Sequence, residues 1–208
     1  MTRQRARAIV PSEDTDVSRC LAFVNTLSAR GSDNPSDQLT SYDALVAWAR
    51  EKGVLKPDLA DRLGARARRR QEDAGRVLSQ ARVLRELLHD AFTATSAGRS
   101  PAKSTMDALS AHLSRWYSHG RLVHADAAFE WIYAGDDDLD RIVWEVSRAA
   151  SRLLTSRRLQ RVRPCAAQDC GWWFLDDTKN ASRRWCEMKT CGNREKLRRF
   201  RHRQRQGS

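Results

Sequence analysis

The sequence contains no apolar run near the roughly 20 residues that cross a bilayer, so no membrane-spanning helix is expected. Its opening, MTRQRARAIVPSEDTDVSRC, carries basic residues with no apolar segment behind them. A secretory signal is therefore not expected, and a cytoplasmic location is. There is no glycine-rich loop spaced to cradle phosphates, and no Ser/His/Asp or Cys/His grouping spaced for nucleophilic catalysis. Internal repeats are absent, as is low-complexity sequence outside the basic C-terminus. These absences lead to the expectation of a protein that binds and does not catalyse.

What is present is unevenly distributed. Hydrophobic residues make up 40% of the 208, charged residues 31%, and seven tryptophans argue for packed cores. The net charge is +12, which makes a polyanion a natural partner. Residues 157–208 hold 15 Lys and Arg against 5 Asp and Glu, whereas residues 1–156 hold 23 against 21. The reading is a flexible N-terminus over 1–15, a near-neutral body over 16–156 and a basic module over 157–208.

The body reads as mainly α with a small β-hairpin. Val17, Leu21, Val24 and Leu27 have helical spacing, with Gly31 as a stop, and SDNPSD follows as a loop. Thr40 or Ser41 can cap a second helix that ends at Gly53. Pro57 opens a long helical stretch in which Gly64 and Gly75 predict either two helices or one with a bend. Met106, Leu109, Leu113 and Trp116 mark another helix. The period then changes, predicting a hairpin near 121–134. A last body helix carries Ile142, Val146, Ala149 and Leu153, with Asp136 to Asp138 favouring its N-terminus.

Four of the five cysteines, Cys165, Cys170, Cys186 and Cys191, form C-x4-C-x15-C-x4-C. Paired cysteines in a reducing compartment point to a metal rather than disulfides. Four thiolates suit one tetrahedral structural zinc and leave no open position for catalysis. Free buried thiols and a redox-released metal are the competing readings. Between the pairs, CGWWFLDDTKNASRRWC reads as a hairpin whose arms each lead to a cysteine pair. The order of knuckle, hairpin, knuckle and helix resembles a treble clef. Trp172, Trp173, Phe174, Trp185, Leu197 and Phe200 are expected to pack around the metal. Cys20 falls in a helical pattern and reads as core.

Seven of the twelve residues from Arg194 to Arg205 are basic. On a helix, Arg194, Arg198, Arg201 and Arg205 share one face, and Lys196, Arg199 and Arg203 a neighbouring one. Twelve residues span about 18 Å, enough to cross a DNA groove. Arginine can fork onto phosphates or guanine edges. Arg183 and Arg184 could extend that surface. Zinc would fix the start of the helix and aim it, whereas an unanchored arginine run would be a solvated tail.

The segment CAAQDCGWWFLDDTKNASRRWCEMKTCGNREKLRRFR closely resembles the CGNR-type zinc finger, with its paired cysteines, C-G-W-x-F-x-D strand, R-R-W-C arm and C-G-N-R tetrad. CLAFVNTLSARG and DQLTSYDALVAWAREKG are similar to the helical ABATE domain that precedes such fingers. The resemblance implies a bacterial stress-responsive transcription regulator, Cys165, Cys170, Cys186 and Cys191 as zinc ligands, and double-stranded DNA as partner. An RNA-binding or ribosome-associated zinc protein is the alternative. A homodimer and a small-molecule effector would suit a regulator. For an effector pocket the candidates are Asn25, Thr26 and Trp48, with Trp116, Trp131, Tyr133 and Trp144 as further walls. The preferred reading is that these aromatics are core and that Asn25 bonds a neighbouring loop. His119 and His124 have no convincing ligand partners, Asp136 to Asp140 read as helix capping, and GARARRRQ at 64–71 reads as a solvated helix face.

Overall fold

Local sequence signals place most of the helix boundaries. The computed structural model describes residues 13–30, 32–125, 128–133 and 138–206, the side chains of Trp116, Ala125, Ala128, Glu130, Trp131, Ile132 and Gln206 excepted. Residues 1–12, Gly31, Asp136 and Asp137, and the proposed walls Trp116 and Trp131, thus lie wholly or by their side chains outside the described residues. Among the described residues the fold is mainly α, with seven helices and three two-stranded antiparallel ladders.

The body contains α1 (Glu13–Val24), α2 (Tyr42–Glu51), α3 (Pro57–Arg69), α4 (Gln71–Ser96), α5 (Lys103–Ser118) and α6 (Arg141–Thr155). Ser41 caps α2 by accepting from the Ala44 amide at 3.1 Å, and Gly53 follows its end with φ +63°, the left-handed position that glycine fills without strain. Pro57 opens α3. The chain breaks at Arg70, not at Gly64 or Gly75, which lie inside helices. One straight helix over this stretch would run roughly 60 Å. The bend instead lets Leu59, Leu63 and Ala67 of α3 and Val77, Leu84 and Leu88 of α4 enter one core.

Two expectations need correction. The first helix ends at Val24, and Leu27–Ser28 form β1 against β2 (Ser36–Asp37) within the expected loop. Thr26 explains the change. It is fully buried, its hydroxyl donating to the Phe23 carbonyl at 2.7 Å and accepting from Arg85 at 3.2 Å. At α6, Asp140 holds the N-cap position without a side-chain cap bond. The predicted hairpin forms as β3 (Gly120–Ala125) and β4 (Ala128–Tyr133). It is moored to α6 through Trp144, on which His119 stacks at 4.2 Å and Tyr133 at 6.4 Å. Trp144 and Tyr133 therefore serve packing, not a pocket.

Two charge clusters tie the helices together. Asp16 of α1 is fully buried and accepts from Arg148 at 2.9 Å and Arg152 at 2.7 Å, both on α6. On the other side Arg85 of α4, 3% exposed, forks onto Asp37 at 2.6 and 2.8 Å. The Arg85 hydrogen bond holds the Asp37 carboxyl below its ordinary 3.8. A depressed folded value means that this pair stabilises the fold above the unfolded pKa, and that the contribution is lost as pH falls through the folded one. Asp37→Asn is expected to lose stability less steeply than wild type below about pH 4. Superimposable acid-unfolding profiles would show that the pair contributes nothing.

Candidate metal centre and basic helix

After α6 a 3-10 turn (Arg157–Arg161) leads into β5 (Val162–Pro164), which pairs antiparallel with β6 (Trp173–Leu175). The first knuckle is the tip of this hairpin. The Cys165 amide donates to the Trp172 carbonyl at 2.8 Å, and the Cys170 amide to the Ala167 carbonyl at 3.2 Å. Gly171 takes φ +68°, and a Cβ there would lie 3.1 Å from the Arg30 amide nitrogen. The partner of β6 is thus the strand before the first knuckle, not the arm carrying Arg183 and Arg184 as expected. That arm has no strand. It is gathered instead around Asp176, fully buried, which accepts from the Thr178 hydroxyl at 2.5 Å and from the Thr178 and Arg183 amides at 3.0 Å each.

The second knuckle is a π-helical turn (Met188–Gly192) that runs into α7 (Asn193–Gln206). The C-G-N-R tetrad divides its work. Cys191 faces the cluster, Asn193 donates to the Lys189 carbonyl at 3.1 Å, and Arg194 reaches back to the Cys191 sulfur at 3.8 Å.

The four sulfurs lie within 4.8 Å of one another. Cys170 to Cys186 and Cys186 to Cys191 are each 3.6 Å apart. A zinc with sulfurs at about 2.3 Å requires tetrahedral edges near 3.8 Å, so the donor set fits. Charge makes the same demand. Hydrogen bonding from Cys186 draws the Cys170 thiol down to about 5. The Cys186 thiol is driven up because it donates to Cys170, and burial pushes Cys191 up to about 11. Of these three thiols one ionises readily, and a dication stabilises the thiolate form of the other two. One structural zinc is held by Cys165, Cys170, Cys186 and Cys191. Cys20 is fully buried in the body core, its thiol pushed up to about 12 by that burial.

The apolar jacket of the metal is smaller than expected. Trp172 and Trp185 pack on the cysteines, whereas Trp173 points the other way, into the body. Its ring lies edge-on to His89 at 5.8 Å and Phe92 at 5.6 Å, and with Val162 it belongs to the body core. Asn25 grips the same residue from both sides: its amide donates to the Trp173 carbonyl and its oxygen accepts from the Trp173 amide, each at 2.8 Å. Nearby, the Ala29 amide donates to the Cys170 carbonyl at 2.9 Å. The reading of Asn25 as a hydrogen-bonding residue is thereby explained, and its partner is the zinc lobe 148 positions away.

The nine candidate DNA contacts separate into two groups. Arg183 is exposed but engaged. It donates to the carbonyls of Trp185, at 2.9 Å, and of Cys186, and lies over the Phe174 ring at 4.7 Å. Arg194 is drawn to Cys191, and Arg198 donates to Glu195 at 2.8 Å. Arg184 lies 5.5 Å from the Trp185 ring centre. Lys196, Arg199, Arg201, Arg203 and Arg205 are exposed and have no ion-pair partner among the described residues. Leu197 and Phe200, expected to hold the helix to the zinc lobe, are 50% and 51% exposed. That task falls to Glu195, buried within the first turn of α7 and 3.5 Å from the Gln168 amide of the first knuckle. A buried glutamate at that position was detectable only as the sole acid in an arginine-rich run.

Between α1, the end of α2 and β6 lies a cleft of about 560 Å³. Asn25 and Trp48 line it; Thr26 does not.

No curated protein is a significant match to the chain. Residues 161–204 match the CGNR zinc finger family, and residues 18–157 match the ABATE family, described as a putative stress-induced transcription regulator. The first match coincides with the metal lobe and α7, and the second spans the helical body from α1 to the end of α6. Because that second match covers well over half of its length, the chain belongs to the ABATE family, and it carries a CGNR zinc finger at its C-terminal side.

Proposed function

We propose that this zinc-binding regulator acts by binding double-stranded DNA through α7, without catalysing a reaction, and that its helical body responds to a small-molecule or stress signal. The observation that carries the reading is the state of α7: anchored at its first turn by Cys191, Glu195 and Asn193, and presenting Lys196, Arg199, Arg201, Arg203 and Arg205 to solvent. A polyanion neutralises such a row and releases counterions in doing so. The cytoplasm, where DNA is reached and thiolates stay reduced, suits this role.

If all five exposed cations meet phosphates, the logarithm of duplex-DNA affinity is expected to fall with the logarithm of salt at a slope of about −4 to −5. Arg199→Ala with Arg201→Ala is expected to reduce that slope by about 2. Fluorescence anisotropy across a salt series measures both. A salt-indifferent complex would exclude α7 as the contact, and stronger binding to structured RNA in competition would favour the RNA-binding alternative.

A further inference from the structure

The cleft between the body and the zinc lobe has the chemistry of a ligand site. Its volume of about 560 Å³ falls in the roughly 300–1,000 Å³ range of small-molecule sites. The walls are flat and apolar: Trp48 from α2, Trp172 and Phe174 from the zinc lobe, and Leu21 and Ala22 from α1. The indole N–H groups of Trp48 and Trp172 have no protein acceptor among the described residues.

The rim sets the sign. Arg158 meets two carboxylates, Asp14 of α1 and Asp177 of the zinc lobe at 3.4 Å, which leaves one negative charge in excess there. Arg183, in contrast, spends its donors on neutral carbonyls, so its charge stands uncancelled beside Phe174. Lys52, also on the rim, pairs among the described residues with the adjacent, largely exposed Glu51 at 2.8 Å, and an exposed pair of this kind holds its charge weakly. The charged lining residues, Lys52, Arg158 and Arg183 against Asp14 and Asp177, leave a surplus of one positive charge.

We propose that this cleft binds a small planar aromatic anion, its ring system between Trp48, Trp172 and Phe174 and its carboxylate or sulfonate toward Lys52 and Arg183. The site would be the place where the body's signal is received, and to that extent it rests on the regulator reading. Arg183 supplies the connection. The same guanidinium holds the Cys186 carbonyl, the backbone of a zinc ligand at the entry to the second knuckle, and that knuckle continues into α7. An anion that draws on Arg183 acts on the base of the basic helix.

The test uses the zinc-loaded full chain and 1-anilinonaphthalene-8-sulfonate as probe, with neutral N-phenyl-1-naphthylamine for comparison, followed by fluorescence and calorimetry. One saturable site per chain is expected, with the neutral compound weaker by about tenfold, which corresponds to the loss of one ionic contact. Lys52→Glu, at an exposed position, is expected to weaken the anionic probe by about tenfold or more. Ser18→Trp, from an exposed position on α1 that lines the cleft, should fill the space and abolish binding with zinc content and melting temperature unchanged. Equal affinity for the neutral and anionic compounds, or undiminished binding by a folded Ser18→Trp protein, would overturn the site. Duplex-DNA affinity is then measured with and without saturating probe, and no difference would overturn the link through Arg183. Because probe binding is read without DNA, its failure leaves the DNA reading standing, and a failure of DNA binding leaves the cleft standing.

Discussion

Cys191→Ser is expected to abolish stoichiometric zinc and to free α7 from the lobe that holds it. Serine offers no thiolate, and three sulfurs cannot close the tetrahedron that the 3.6 Å edges at Cys186 prefigure. The effect should be large because the lobe has little else. Its cluster consists of the cysteines and Ala167 with Trp172 and Trp185 packed on them, while structural zinc in comparable modules contributes about 10–16 kcal/mol of apparent binding energy. Losing the Cys191 thiolate also replaces the sulfur that Arg194 reaches with a shorter, neutral hydroxyl, and loosens the turn on which Glu195 rests. Metal analysis should give one zinc per wild-type chain and none per variant, with hydrogen exchange of 186–206 rising sharply. Cys20→Ser, altering the remote buried cysteine, should keep its zinc. Acidification should displace the metal as well, since protons compete for the same thiolates. A wild-type protein without zinc, or a lobe that keeps its exchange protection under a strong chelator, would refute the metal centre.

Trp173→Ala is expected to destabilise the helical body, although residue 173 lies in the zinc-finger segment. Trp173 is 4% exposed, set against His89 and Phe92 of α4, and held by both ends of the Asn25 amide. Emptying a buried site of that size costs about 3–5 kcal/mol, a large share of the roughly 5–15 kcal/mol that keeps a domain folded. The same packing bears on truncation. Sequence reasoning divides the body from the basic module between residues 156 and 157, but a cut there also removes Val162 and Trp173 from the body core. The truncated chain should therefore melt well below the full-length protein and expose the apolar faces of α1 and α4. Circular dichroism melting curves decide the matter, and a truncated body as stable as the whole chain would show that the shared core contributes little.

The metal set, the helical body, the hairpin and the basic terminal helix were all legible in the sequence, because each depends on near neighbours. Cysteine spacing fixes which thiols can share an ion, apolar periodicity fixes a helix, and Ser41, Gly53 and Pro57 act within one turn of their own positions. Directions were not legible. Nothing near Trp173 shows that it turns away from the zinc, since its partners are Asn25, His89 and Phe92. Nothing in the spacing of Leu197 and Phe200 shows that they stay exposed while Glu195 is buried beside Gln168 of the first knuckle. A side chain's facing is set by whichever distant surface packs against it. Sequence alone thus determined the parts and the chemistry of the metal, while the tertiary structure decided that the finger is welded to the body through one tryptophan and one asparagine, because burial and hydrogen-bond satisfaction are settled only when remote segments meet.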